Sequence, residues 1–363
     1  GLPAAVDDGT NVVSYGGLSR TTYPWWQSYY VHNGAATAPT RDLMNQYVNG
    51  LVKWSGGEMP TFGVMGFGTW TKLTQDFTAL ERYNVGGAGS YNSGGEAKAL
   101  TSGLVWDMQP TYSPDGKLIA YTSDAGGGDN IWHMKRDGSD AVAVTKETFR
   151  LLNSPAWTPD GDYIAARKHF TSKRSAGAGE IWLYHRTGGE GLQMTKKPND
   201  QKDVGEPAFS PDGRYLYYSQ DVTPGKTFQY NKDSNTEIYA IQRLDRRTRE
   251  TIKFVKGPGG AIRPTPSPDG KLLAFVRRVR SKTVLFLQDI ESGAEWPIHD
   301  GLERDMQEAW AIHGVYARFA WMPDSRSIVF WAGGKIHRID VETKQVEEIP
   351  FRVKTTRRIC QAL

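Results

Sequence analysis

The stretch Pro110-Thr111-Tyr112-Ser113-Pro114-Asp115-Gly116-Lys117-Leu118-Ile119-Ala120-Tyr121 decides the fold, because its centre returns four more times along the chain. Ser113-Pro114-Asp115-Gly116 recurs as Thr158-Pro159-Asp160-Gly161, Ser210-Pro211-Asp212-Gly213 and Ser267-Pro268-Asp269-Gly270, and then as Met322-Pro323-Asp324-Ser325 without its Gly. Successive prolines lie 45, 52, 57 and 55 residues apart. A propeller blade takes roughly 40–50 residues, so each interval holds one blade plus a loop. The tetrapeptide suits a type I turn: Pro presets φ, Ser bonds locally and Gly relaxes the exit. Short apolar runs follow each turn, such as Leu118-Ile119-Ala120-Tyr121, Tyr163-Ile164-Ala165-Ala166 and Leu272-Leu273-Ala274-Phe275. Such runs mark strands buried on both faces. A third strand comes next, for example Asn130–Met134, Glu180–Tyr184 or Glu237–Ile241, and a fourth closes the unit. The chain therefore reads as all-β, a β-propeller of four-stranded blades with five clear blades and six or seven in total. A β-sandwich does not predict similarity unit by unit.

The bulk numbers are compatible with such a ring. The chain has 363 residues, 38% hydrophobic and 23% charged, with a net charge of +4. That charge is too mild for the concentrated basic face that nucleic acid needs. No apolar run reaches the ~18 residues of a membrane helix. The lone Cys360 allows neither an intrachain disulfide nor a cysteine zinc cluster.

The first hundred residues read differently. They hold 16 Gly and 13 charged residues, against 24 Gly and 71 charged residues in the rest. The repeated turn is absent from them. Residues 1–67 form a Gly- and aromatic-rich segment, either extra strands or a cap. Residues 68–352 form the propeller, with degenerate strands over Gly68–Thr101. Residues 353–363 are a tail.

No catalytic constellation is visible. None of the seven histidines forms His-x-His, and neither His-Glu-x-x-His nor Gly-x-Ser-x-Gly occurs. Asp124-Ala125-Gly126-Gly127-Gly128-Asp129-Asn130 offers too few oxygens for calcium and reads as a hairpin loop. Trp132, Trp157 and Trp182 read as core between blades. Polar residues do gather on the loops that lead to the channel: Asp107, Gln109, Asn153, Asp203, Glu206, Arg263, Glu308 and His313. Just after second strands stand Asp124, Arg167, Lys168, His169, Asp221, Arg277 and Arg278. Such a funnel suits a polar or peptide-like ligand, or a docking surface. Arg167 and its neighbours could hold an anion bidentately, or make salt bridges to Glu180 or Glu206.

These repeats resemble the TolB-type propeller repeats: an aromatic-Ser-Pro-Asp-Gly turn, an Ile-Ala-aromatic strand, an Ile-Trp strand and a closing Val-Thr. Ala165-Ala166-Arg167-Lys168-His169-Phe170 and Trp310-Ala311-Ile312-His313-Gly314-Val315-Tyr316 resemble, more narrowly, the propeller portion of bacterial TolB-like amidohydrolases. The resemblance spans residues 94–352. It implies a non-catalytic propeller that binds or gates a ligand and docks a protein partner or a catalytic barrel lying outside this chain. No cofactor is expected in this chain, since a metal would belong to that barrel. It also implies a periplasmic or secreted location. Two alternatives stay open: a stand-alone envelope propeller that binds proteins, and the substrate-gating propeller of a peptidase assembly.

Overall fold

The computed structural model describes residues 97–149, 151–172, 175–227, 232–309 and 311–353, together with residues 14–15 and 18–19. By its internal contacts the chain divides into two units, Gly1–Tyr83 and Asn84–Leu363. In the first, Ser14–Tyr15 pairs antiparallel with Leu18–Ser19. The strands expected over Gly68–Thr101 fall almost entirely outside the described residues.

The second unit holds five four-stranded antiparallel sheets, each a simple meander. Blade one comprises Asp107–Tyr112, Leu118–Ser123, Asn130–Lys135 and Val142–Ala143. Blade two comprises Leu152–Trp157, Tyr163–Ser172, Ser175–His185 and Leu192–Gln193. Blade three comprises Val204–Phe209, Tyr215–Asp221, Tyr239–Asp245 and Thr251–Val255. Blade four comprises Ile262–Pro266, Leu272–Val279, Lys282–Asp289 and Glu295–His299. Blade five comprises Ala320–Trp321, Ser327–Ala332, Lys335–Asp340 and Val346–Ile349. The first strand of each blade lies against the first strand of the next, so these strands line the channel. Among the described residues there is no α-helix, and no helix long and apolar enough to cross a membrane.

The repeated tetrapeptide makes the turn from first to second strand. In blade one, the Gly116 amide donates to the Ser113 carbonyl at 2.8 Å, and Gly116 sits at φ 69°. The Ser113 hydroxyl donates to Asp115 Oδ1 at 2.6 Å and accepts the Leu118 amide at 2.9 Å. That hydroxyl, first, and the Lys117 amide, second, hold the Asp115 carboxyl down at about 2. The same bond recurs from Ser210 to Asp212 at 2.5 Å and from Ser267 to Asp269 at 2.6 Å.

The apolar runs are unbroken because each sheet is covered on both faces. Alternate second-strand residues face opposite neighbours. Leu216 and Tyr218 pack with Ala165, Ile181 and Leu183 of blade two. Tyr217, between them, packs with Leu273 and Phe275 of blade four. Ala274 and Val276 turn to Phe319, Ile328 and Phe330 of blade five. Each fully buried side chain of this size contributes about 1.5–3 kcal/mol. Trp157 is buried between blades one and two, and Trp132 and Trp182 are partly buried against the cores.

Two strands depart from the sequence reading. The third strand of blade three starts at Tyr239, not Glu237. The hairpin of blade two reaches from Tyr163 to His185, well past the apolar residues that marked it. Its tip is rich in Ser, Ala and Gly, which carry no strand pattern.

Candidate functional site

The site begins with a bulge that repeats in four blades. Pairing between first and second strand shifts between Met108 and Thr111, Asn153 and Ala156, Gly205 and Ala208, and Ile262 and Thr265. Inside each bulge one residue takes a left-handed backbone: Gln109 at 54°, Ser154 at 56°, Glu206 at 56° and Arg263 at 55°. Each is followed by a proline. Such non-glycine conformations cost on the order of 1–3 kcal/mol and need surrounding bonds to hold them. Those bonds run from blade to blade. Gln109 Oε1 accepts the Ser154 amide at 2.7 Å, and Glu206 Oε2 accepts the Arg263 amide at 2.7 Å. The Thr122 and Ser219 hydroxyls donate to these same two side chains.

A segment of the chain itself then crosses this end of the channel. The segment 311–316, between blades four and five, lies over the bulges, and all four regular blades bond to it. Gln109 Nε2 donates to the His313 carbonyl. Asn153 Nδ2 and Arg167 Nη1 donate to the Ile312 carbonyl at 2.9 and 2.8 Å. Glu206 Oε1 accepts the Val315 amide at 2.7 Å, and Arg263 Nε donates to the Tyr316 carbonyl at 2.9 Å. His313 Nε2 pairs with Asp129 at 2.9 Å, and its ring meets the edge of Trp106 with centroids 4.8 Å apart. Gly314, at φ 110°, makes the approach possible: a Cβ there would fall 2.4 Å from Arg263 Nη2.

Of the residues expected on the channel face, Gln109, Asn153, Arg167, Glu206, Arg263 and His313 converge on this plug. The others sit elsewhere. Lys168 pairs with Glu147 and lies 4.4 Å from the Trp182 ring centroid. His169 is buried, its amide bonded to the Leu151 carbonyl at 2.8 Å. Arg277 pairs with Glu295 at 2.5 Å and donates to the Gly260 and Lys256 carbonyls. Arg278 holds Asp305 at 2.8 Å and Glu308 at 3.2 Å. Asp107 stands opposite Ser123 at the start of blade one. Burial, and then the Asp107 charge, push the Tyr121 phenol up to about 12.

The partners of Arg167 and Lys168 correct the sequence reading. They are Asp203 and Glu147, not Glu180 or Glu206. Arg167 is 1% exposed and grips Asp203 Oδ1 through Nε at 2.9 Å and Nη2 at 2.6 Å. Burial nevertheless holds the Asp203 carboxyl above its ordinary range, against the pull of Arg167. Glu206 is taken by Arg263 at 3.0 Å. Glu180 instead accepts from Trp182 Nε1 and Gln193.

Sequence reasoning passed over Lys202 and Lys232, which share Asp221 at 3.4 and 2.8 Å, and Asp305. It also passed over Arg318. Aligning Arg318-Phe319-Ala320-Trp321 with Glu206-Pro207-Ala208-Phe209 would have placed Arg318 at the bulge position of blade five. Among the described residues no group of three or more His, Cys, Asp or Glu could hold a metal ion.

Known proteins share this architecture. Residues 91–230 match the family model of the TolB beta propeller domain. The fold is that of a TolB-like propeller. TolB from Acinetobacter baumannii superposes with a TM-score of 0.54 at 18% identity, over 69% of this chain and 55% of that one. At that identity the likeness is one of fold. In sequence, the uncharacterized peptidase YuxL of Bacillus subtilis is 27% identical over 34% of this chain and 23% of its own length. Tricorn protease homolog 1 of Streptomyces coelicolor is 26% identical over 56% of this chain and 18% of its own length. The chain thus spans less than a quarter of either curated relative.

Proposed function

We propose that this TolB-like propeller is a non-catalytic binding module that takes a protein or peptide segment on the loop end of the ring, around the plug. The observation that carries the reading is the plug and its surroundings. Four blades direct polar groups onto residues 312–316, which therefore occupy that end of the channel. Two large apolar side chains stand exposed beside the plug. Trp106, 39% exposed, touches the His313 ring, and Met306, 50% exposed, bonds through its amide to the Val315 carbonyl. Aromatic and methionine side chains are the ones enriched at protein interfaces. Polar and charged pairs border them: Asp129 with His313, Glu147 with Lys168, and Arg304 with Glu308. An apolar centre with a polar rim is the usual anatomy of such a surface. The docked segment belongs to a protein partner or to a metal-dependent amidohydrolase domain lying outside this chain, and the module works in the periplasm or outside the cell.

The test is a fluorescence-anisotropy screen of labelled extended peptides against the 363-residue chain, run beside a hydrolysis assay on chromogenic peptide anilides. Binding without turnover is expected, and Trp106→Ala should weaken it by about tenfold or more, as an interface anchor does. Turnover by the purified chain, or binding indifferent to Trp106, would sink the reading.

A second reading has its own support. Two relatives carry peptidase or protease names, and a plug held by hydrogen bonds is a gate if it opens. A propeller that gates peptides would then release segment 312–316 when peptide binds. Hydrogen exchange at the Val315 amide separates the two: faster exchange with peptide favours the gate, and unchanged or slower exchange favours docking.

A further inference from the structure

Of the three charged residues at bulge positions, Glu206 and Arg263 pair with each other, and Arg318 has no ion-pair partner among the described residues. Its Nη2 crosses the channel from blade five to donate to the Pro155 carbonyl of blade two at 2.7 Å. Among the described residues it makes no other hydrogen bond or ion pair, so Nε, Nη1 and the second hydrogen of Nη2 are unused. It is only half-buried. Pro155 follows Ser154 inside the blade-two bulge, so this contact lies at the level of the bulges. Burial, and then the nearby Arg263 cation, press the Arg318 guanidinium down to about 9, with Glu206 opposing. Arg263 is already satisfied by Glu206 and the Tyr316 carbonyl. Among the described residues, these two cations and one carboxylate leave one positive charge uncompensated.

We propose that Arg318 is a carboxylate-binding point in the channel, the second Nη2 hydrogen and the neighbouring nitrogen on that edge receiving one carboxylate of a ligand. A planar carboxylate matches that edge with two parallel N–H bonds. A single negative charge also balances the single excess positive one. A phosphate would bring a second negative charge toward Glu206. The site uses none of the apolar residues of the docking face and stands whether or not that face binds a partner.

The test uses the whole chain and the arginine reagent phenylglyoxal, with modification sites located by mass spectrometry. Sodium acetate and inorganic phosphate are the probes, with chloride at matched ionic strength as control. At an acetate concentration about twice its Kd, Arg318 should be modified about threefold more slowly, following the fraction of free site. Phosphate should protect less, and the surface residue Arg186 should be unaffected by either. Equal modification with and without acetate overturns the site, and stronger protection by phosphate overturns its carboxylate character. In parallel, acetate should raise the thermal midpoint of the wild-type chain and of Arg318→Lys, but not of Arg318→Gln. An undiminished rise in Arg318→Gln also overturns the site. Should that variant fail to fold, protection of the wild-type residue decides the matter alone.

Discussion

The fifth blade and the other four are built from the same repeat, and they differ at two points. In blades one to four the turn ends in Gly, as at Gly116 and Gly270, with φ 69° and 73°. In blade five Ser325 takes that place at φ 58° and accepts the Asp269 amide of blade four at 3.0 Å. In blades one to four a proline follows a left-handed bulge residue whose side chain bonds to a neighbour or to the plug. In blade five Phe319 replaces the proline, and Arg318 does not share the positive φ. The repeated features hold the ring together, and the deviations supply what is particular to this protein. The plug leads directly into blade five, and Arg318 belongs to it.

The largest expected effect contrasts two arginines. Arg167→Ala strands the buried Asp203 and removes one of the two donors to the Ile312 carbonyl, so it should cost about 3–5 kcal/mol by urea denaturation. Arg318→Gln loses one bond to a carbonyl and relieves repulsion from Arg263, and should cost about 1 kcal/mol or less. Similar losses at the two positions would erase the distinction between blades.

Gly314→Ala comes next. The added methyl group collides with Arg263 and burdens a left-handed position, which predicts a loss of about 1–3 kcal/mol. Hydrogen exchange at Val315 should quicken in this variant, because the plug lifts from Glu206. Unchanged exchange would mean that the plug tolerates the methyl group.

The turns give a smaller effect. Gly270→Ser should destabilise by about 1 kcal/mol, the cost of a left-handed residue with a Cβ. Ser325→Gly should gain less than that, since it gives up the bond to Asp269. Equal and opposite changes would show that the interblade bond is worth nothing.

The last prediction concerns acid. The folded-state pKa of Asp115 is depressed to about 2, below an unfolded value of about 3.9. Its contribution is therefore complete above the unfolded value and is lost as pH falls through the folded one. Thermal midpoints should drop between about pH 4 and pH 2, and Asp115→Asn should flatten that drop while lowering the midpoint at neutral pH. An unaltered acid limb would assign the transition to other carboxylates.

Much of this was legible in the residues. Ser113-Pro114-Asp115-Gly116 and its copies encode a turn through contacts two to five residues apart, and the runs after them mark strands buried on both faces. The polar residues of the channel were legible as a set. Gln109, Asn153, Arg167, Glu206, Arg263 and His313 were picked out by their places relative to the repeat. Their partners were not. Nothing near Arg167 in the sequence distinguishes Asp203 from Glu180 as its counter-ion. The tip of the blade-two hairpin was missed because small polar residues carry no alternation.

By itself, the sequence determined the blade, its repetition and the places where polar groups enter the channel. Each of these rests on backbone preference and alternation within a few residues. Only the tertiary structure decided that residues 312–316 cross the channel and that Arg318 has no ion-pair partner among the described residues. Those outcomes depend on groups up to 204 residues apart, such as Gln109 and His313. A ring of blades brings such groups together, and burial then fixes which charges must pair.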